Sequence, residues 1–466
     1  MIDTPLFSSS AGVFAWLSRF INLEQGQTPN SFRPDRMEIL ASLAGHPERS
    51  APVVHVAGSK GKGSVTGMIA SVLAAAGLKT ARYMSPHVTE YRERITVGDD
   101  FFDESVYAAA GNELRALAEA LTDRSKREYR LFDPDEEGGE GPTFFELLTL
   151  CFFLCARLGR CEAMAVETGM GGRLDPTNVV DPLVSVITVI ELEHTEFLGD
   201  TLAAVAGEKA GIIKPHKPLI LAEQSPDARE VFFKTAAARG SPLWYFPDRG
   251  VIKNLRVHQG GTDFTLALNL PGEKGPPLDL SVAIPGEVQA KNAGLAVLAV
   301  KAAFPSIGGD TIRRGLKNFK LPARFERIRE DPPVIIDGAH TPKSVELCVN
   351  TFTSLYGAGG LLIFGCTAGK NAEAMARLLF PWFSRMIITT PGTFKVSEPE
   401  KVYGIFTRVL QAEGAAPGSA VFIKETERAV RYALDQSREQ GLPVLGVGSF
   451  YLAAEIRALS GGRREI

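Results

Sequence analysis

The seven residues from Gly58 to Ser64, Gly-Ser-Lys-Gly-Lys-Gly-Ser, combine what a polyphosphate site needs: backbone without side-chain bulk, positive charge and a hydroxyl. The β-branched run Val53 to Val56 before them predicts a buried strand, and the apolar stretch Val65 to Ala76 after them predicts a helix stopped by Gly77. A strand, a glycine turn and a helix start aim backbone N–H groups and the positive end of the helix dipole at an anion. In that geometry Gly58, Ser59, Lys60, Gly61, Lys62, Gly63 and Ser64 would cradle a nucleoside triphosphate, with Lys62 reaching the outer phosphates and Ser64 adding its hydroxyl or N–H. The strict phosphate-loop spacing is not met, because Val56 stands where its first Gly belongs and Gly63 separates Lys62 from Ser64. Taken alone, the stretch also reads as a plain glycine turn with two solvated lysines.

Other polar clusters follow predicted strands. Lys79 to Met84 ends in Ser85-Pro86-His87 and then Glu93-Arg94-Ile95. Ala163 to Glu167 opens a glycine-rich turn that runs to Asp175, and Val184 to Ile190 is followed by Glu191-Leu192-Glu193-His194-Thr195. A helix containing Glu208-Lys209-Ala210 precedes the strand Pro218 to Ala222. This alternation predicts a parallel, doubly wound α/β sheet, in which ligands sit at the carboxyl ends of the strands. Thr143 and Glu146 have capping-box spacing ahead of the apolar run Leu147 to Leu158. Residues 11–45 and 103–125 read as helical, and Asp133 to Pro142 as an exposed acidic loop. The stretch from Trp244 to Ile284 alternates as antiparallel β with Gly260-Gly261 as a turn, and a further apolar helix runs from Lys291 to Phe304. Leu321-Pro322 marks the expected domain boundary. Beyond it, strands at Val334 to Ile336, Leu361 to Phe364, Met386 to Thr390, Val421 to Ile423 and Val444 to Val447 predict a second, smaller doubly wound domain. The expected division is therefore 1–322, binding ATP, and 323–466.

The composition narrows the classes. At 466 residues the chain exceeds the size of one growing core, so two domains are expected. A net charge of −3 gives no electrostatic reason to bind nucleic acid or an anionic membrane. The N-terminus lacks signal-peptide regions and no apolar run is long enough to span a bilayer, which makes a cytoplasmic protein the expectation. Five cysteines without paired spacing or neighbouring His read as buried thiols rather than a zinc site.

Taken in order from about Phe32 to Ile456, these segments resemble the folylpolyglutamate synthase and dihydrofolate synthase family, a branch of the Mur-type ATP-dependent amide ligases. The resemblance rests on the Gly58–Ser64 turn, Ser85-Pro86-His87 with Glu93-Arg94-Ile95, Thr143-Phe144-Phe145-Glu146 and Gly171-Gly172-Arg173-Leu174-Asp175-Pro176-Thr177-Asn178. It continues through His194-Thr195 with Leu198-Gly199, Glu208-Lys209-Ala210-Gly211-Ile212, Arg324-Phe325, Asp337-Gly338-Ala339-His340 and Gly448-Ser449-Phe450-Tyr451-Leu452. Four departures stand out. Ser59-Lys60 replaces Thr-Asn, Val288 stands where His often precedes Gln289, Thr341 replaces Asn, and Gly369-Lys370-Asn371 replaces Asp-Lys-Asp.

The resemblance implies a P-loop-like first domain and a Rossmann-like glutamate-ligase domain. It implies ATP as substrate, addition of L-glutamate to dihydropteroate or a (tetrahydro)folate through an acyl phosphate, and release of ADP and phosphate. Ser85 and Glu146 would hold one Mg²⁺ and His194 a second, with Lys209 joining as a metal ligand once carbamylated; a monovalent cation is a further candidate. Lys62, Lys209, His194 and Glu146 are thus the expected catalytic set. Gln289, Asn292, Arg324, Asp337 and His340 join the turn as nucleotide-binding candidates, the last two also facing the incoming glutamate, and Glu167 would orient a metal-bound water. Read without the resemblance, Glu146 is a helix cap, His194 a polar loop residue, Glu208-Lys209 a surface charge pair, and Asp175 and Asn292 caps. The partners expected are small molecules only, on a monomer. Folylpolyglutamate synthesis alone, a Mur-type cell-wall ligase and a nucleotide-binding regulatory module are the competing functions.

Overall fold

The computed structural model describes residues 6–20, 22, 34–122, 141–270, 275–392, 395–416 and 418–459. Most of the expected acidic loop, residues 133–140, and residues 21 and 23–33 of the stretch expected to be helical lie outside the described residues. The chain divides into two compact units. The first comprises Met1–Leu255, Asp263–Val282 and Ala290–Phe319; the second comprises Arg256–Thr262, Ala283–Gln289 and Lys320–Ile466. The division after Phe319 falls near Leu321-Pro322, but residues 256–262 and 283–289 group with the second unit, which a single cut in sequence does not express.

The first unit is built on eight strands: β1 Val53–Ala57, β2 Thr80–Tyr83, β3 Ile95–Val97, β4 Asp100–Phe101, β5 Ala163–Glu167, β6 Val184–Ile187, β7 Leu219–Leu221 and β8 Leu243–Tyr245. Their order is β4-β3-β2-β5-β1-β6-β7-β8. From β2 to β8 every pairing is parallel, while β3 and β4 extend the edge antiparallel. All five residues of β1 are buried, as both faces of a parallel sheet require. The helix Phe144–Leu158 is buried along nearly its whole length and packs with Tyr83, Met164 and Val166 in one hydrophobic core.

The helix after β1 spans Lys62–Ala75, three residues earlier than its apolar pattern announces, because Gly63 and Ser64 carry no hydrophobic signal and Gly has low helix propensity. Gly77 stops it as expected, at φ 88°. The helix lies against the helix Gly309–Asn318, where a Cβ on Gly315 would overlap the Val72 backbone and the Ser71 hydroxyl donates to the Gly315 carbonyl at 2.7 Å. Strands β9 Gly250–His258, β10 Gly261–Leu268 and β11 Leu278–Val282 form the separate sheet that the alternation predicts.

The second sheet has the order β12-β13-β17-β14-β15-β16, from β12 Glu326–Arg329, β13 Val334–Ile336, β14 Gly360–Phe364, β15 Phe383–Ile388, β16 Ala420–Phe422 and β17 Val444–Val447. Five of these answer to predicted strands. The sixth, β12, reads Glu-Arg-Ile-Arg and is an antiparallel edge strand whose polar side chains conceal it. All five cysteines are buried and free, and no described helix is long and apolar enough to cross a membrane.

Candidate functional site

β1 lies between β5 and β6, so the turn leaving it sits at the middle of the sheet's carboxyl edge. Gly58 adopts φ 147° and Gly61 φ 90°; a Cβ on the first would overlap the Thr188 hydroxyl, and on the second the Asn292 amide. The segment after β6 braces the turn. The Ser59 and Lys60 amides both donate to the Val189 carbonyl, at 2.9 and 3.2 Å, and the Ser59 hydroxyl donates to the Glu191 carbonyl at 2.9 Å.

Two lysines meet on one backbone oxygen. Lys62 Nζ donates to the Gly58 carbonyl at 2.8 Å, and Lys209 Nζ donates to the same carbonyl at 2.9 Å and to Glu193 Oε1 at 2.9 Å. Lys209 is 1% exposed. Burial, then the charge of Lys62, draws its ammonium down to about 8, against the pull of Glu193. Burial pushes the Glu193 carboxyl up, but Lys62, Lys209 and Lys60 outweigh it and hold the group at about 2. The surface-pair reading of Glu208-Lys209 is therefore wrong: Glu208 turns out to Arg173 at 2.9 Å while Lys209 turns in to the turn. Sequence reasoning did not single out Glu193, whose only signal is its place beside His194. His194 follows it in left-handed backbone, φ 47°, ahead of the short helix Thr195–Leu198.

Glu146, expected as a metal ligand, is held at the start of its helix. Oε1 accepts from Arg36 Nε at 3.0 Å, and Oε2 accepts from the Thr143 amide at 2.7 Å and hydroxyl at 3.0 Å. A complete capping box and a buried ion pair thus hold this side chain between two helices. Glu167 is the carboxylate at the phosphate turn. It closes β5 in register with Val56, Oε2 accepts from the Ser85 amide at 3.2 Å, and a Cβ on Gly63 would lie 3.5 Å from the same oxygen. Ser85 and Glu167 offer oxygen donors of the kind that suit Mg²⁺ with retained waters. Among the described residues no three His, Cys, Asp or Glu side chains cluster as a metal site.

Gln289 and Asn292 lie on the helix Glu287–Ala303. Asn292 is its sixth residue, too far in to be a cap, and its amide faces Gly61. Asp175 does cap a short helix, accepting from the Thr177 amide at 3.0 Å.

In the second unit, Arg324 and His340 pack on Phe450, and Asp337 feels the charge of Arg324. Arg324 sits between Ala323 (φ 53°) and Phe325 (φ 44°), and its guanidinium lies 4.1 Å over the Phe450 ring. Asp337 follows β13 and accepts from the Phe325 and Ala339 amides, both at 2.7 Å. Burial pushes its carboxyl upward, while Arg324 and those two amides pull the other way. His340 Nδ1 bonds the Gly338 carbonyl at 2.8 Å, and its ring centroid lies 5.7 Å from that of Phe450. Thr341 caps the helix Pro342–Tyr356 in a capping box with Ser344, so replacing Asn there keeps a good cap. A groove of about 410 Å³ lined by Asn254, Thr265, Asp279, Arg313 and Lys317 contains none of these groups.

The sequence matches the Mur ligase middle domain over residues 139–300 and the Mur ligase glutamate ligase domain over 323–450. It is 30% identical to the folylpolyglutamate synthase of Lacticaseibacillus casei across 92% of this chain and 94% of that one. The chain belongs to the folylpolyglutamate synthase/dihydrofolate synthase family. Within that family it is also similar to the dihydrofolate synthase/folylpolyglutamate synthase of Bacillus subtilis, 34% identical over 74% of this chain and 77% of the relative. The folylpolyglutamate synthase of Mycobacterium tuberculosis complexed with ADP superposes with a TM-score of 0.84 at 26% identity, covering 97% of this chain and 99% of that one. A further folylpolyglutamate synthase structure, in complex with AMPPCP and folate, gives a TM-score of 0.78 at 27% identity over 96% and 98% of the two chains.

Proposed function

We infer that this protein is an ATP-dependent ligase that joins L-glutamate to a folate-type acceptor and releases ADP and phosphate. The observation that carries this reading is the pair of lysines, Lys62 and buried Lys209, held on the Gly58 carbonyl at a glycine turn of this family. A carboxylate is a poor electrophile, and phosphorylating it gives an acyl phosphate that an amine can attack. The protein's task in that step is to place cations and N–H donors where charge gathers on the transferring phosphoryl group. Lys62, the turn amides and the start of the helix Lys62–Ala75 supply them. Lys62 leaves the Gly58 carbonyl to meet a phosphate, and Lys209 stays to hold that carbonyl.

Ser85 and Glu146 are the residues that would hold Mg²⁺, with Glu167 beside Ser85 to orient its water; the ion supplies charge neutralisation at the phosphates when bound, and His194 is the candidate for a second ion. The neutral Lys209 amine that burial favours is the form that would react with carbon dioxide to a carbamate, and mass spectrometry of protein kept under carbon dioxide tests this. Asn292 and Gln289 are assigned to the nucleotide, and Arg324, Asp337 and His340 to phosphate and glutamate.

The test is phosphate release from ATP with Mg²⁺, offering dihydropteroate and tetrahydrofolate separately, each with and without glutamate. Release that needs both acceptor and glutamate is expected. Release without either would leave a nucleotide-binding module, and turnover of dihydropteroate is what distinguishes the bifunctional enzyme from a folylpolyglutamate synthase alone.

A further inference from the structure

His55 is buried in β1, three residues before Gly58, and is 0% exposed. Its Nε2 lies 2.8 Å from the Thr177 hydroxyl, which in turn lies 2.5 Å from Asp175 Oδ1. Asp175 is further fixed by the Thr177 amide on Oδ1, at 3.0 Å, and the Met170 amide on Oδ2, at 2.9 Å. A hydroxyl has one proton, and here it goes to the carboxylate. Nε2 must therefore carry the hydrogen that the Thr177 oxygen accepts, which fixes the imidazole as the neutral Nε2–H tautomer. Nδ1, bare in that tautomer, has no hydrogen-bond partner among the described residues. Burial, with a smaller push from Lys214, draws the imidazole down to about 3, so it stays neutral.

The loop that Asp175 anchors rests on the end of the helix that carries Lys209. The Arg173 amide donates to the Glu208 carbonyl at 2.7 Å, and a Cβ on Gly172 would press on that carbonyl and on Lys209 Cα. Lys209 then reaches back to the Gly58 carbonyl, on the chain that began at His55. The contacts close a ring: His55, Thr177, Asp175, the glycine loop, Lys209, Gly58.

We propose that His55 is a positioning residue for the ligase reaction. Its Nε2–H, relayed through Thr177 to Asp175, seats the loop 170–178 on β1 and so fixes where Lys209 meets the phosphate turn. A histidine serving only the core would alter stability and leave turnover per folded molecule unchanged. This inference rests on the ligase reading above.

The experiment compares the full-length protein with Thr177→Val, Thr177→Ser, His55→Leu, His55→Gln and the double variant His55→Leu/Thr177→Val. Initial rates of phosphate release are measured with ATP, Mg²⁺, glutamate and tetrahydrofolate. Thr177→Val and His55→Leu are expected to lower kcat about tenfold or more while KM for ATP stays within about twofold. Thr177→Ser and His55→Gln, which keep a donor or hydroxyl in place, are expected to recover kcat to within about threefold of the parent. The double variant should be no worse than the poorer single, since both cut the same link. Full kcat in both apolar singles, or losses that multiply in the double, overturns the proposal. Should the apolar variants not fold, Thr177→Ala decides, since it removes the hydroxyl and adds no bulk: a loss of kcat of about tenfold or more that Thr177→Ser restores supports the link, and parental kcat overturns it. A parent protein without glutamate-dependent release overturns the ligase reading itself, an outcome distinct from an active parent with indifferent variants.

Discussion

The phosphate turn of the first unit and the strand-end cluster of the second gather similar residue types and hold them by opposite means. At the turn, two glycines at positive φ, three hydrogen bonds from Ser59 and Lys60, and two lysines on one carbonyl fix almost every group. Around Arg324 the means are different: two residues in left-handed backbone, an aromatic face, a bond to the Ala323 carbonyl at 3.2 Å and a carboxylate that grips the backbone. The first arrangement suits a site whose donors must already point at a developing charge. The second sets a long cation on an aromatic face beside a buried carboxylate.

Lys62→Ala should have the largest effect, a loss of kcat of about 10³-fold in phosphate release, because no other group replaces its contact with the phosphates. An active Lys62→Ala protein would end the contrast at its rigid side. Next, Glu167→Gln should lower kcat about 10²-fold with little change in melting temperature. Glu146→Gln should lower kcat as well and, unlike Glu167→Gln, cost on the order of 3 kcal/mol of stability by weakening the buried pair with Arg36. Calorimetry beside kinetics separates the two carboxylates. Phe450→Leu should cost about tenfold in kcat/KM for ATP by removing the face on which Arg324 rests, with Phe450→Tyr close to the parent.

The smallest effect concerns acid. Folded His55 stays neutral to about pH 3, whereas the unfolded imidazole takes a proton below its ordinary 6.5. Between those values the unfolded chain holds the extra proton, so stability falls as pH drops through 6.5, by at most about 1.4 kcal/mol per pH unit. Urea midpoints at pH 7 and 5 should show a smaller difference for His55→Gln than for the parent.

Much of the frame was legible in the residues. The β-branched run before Gly58, the stop at Gly77 and the capping box at Thr143 are local signals, and each reappears in the fold. The place of Glu167 beside the turn was not legible, because it depends on strand order. Only when β5 lies beside β1 does Glu167 come level with Val56 and reach Gly63, and no local pattern encodes which strand lies beside which. Lys209 posed the same difficulty. Its helix has a charged pair whose two members face opposite ways, and only the packing of the Gly172 loop reveals which one turns inward. Strand β12 escaped because an edge strand needs no apolar alternation.

The carbonyl of Gly58 belongs to the main chain, so no side-chain replacement can delete it. A drift in the angle of that one peptide would carry both ammonium groups along together, keeping their spacing while shifting their aim. Tolerance at this spot is therefore set by peptide orientation, and exchanging that single amide for an ester would weaken the grip on two lysines at once.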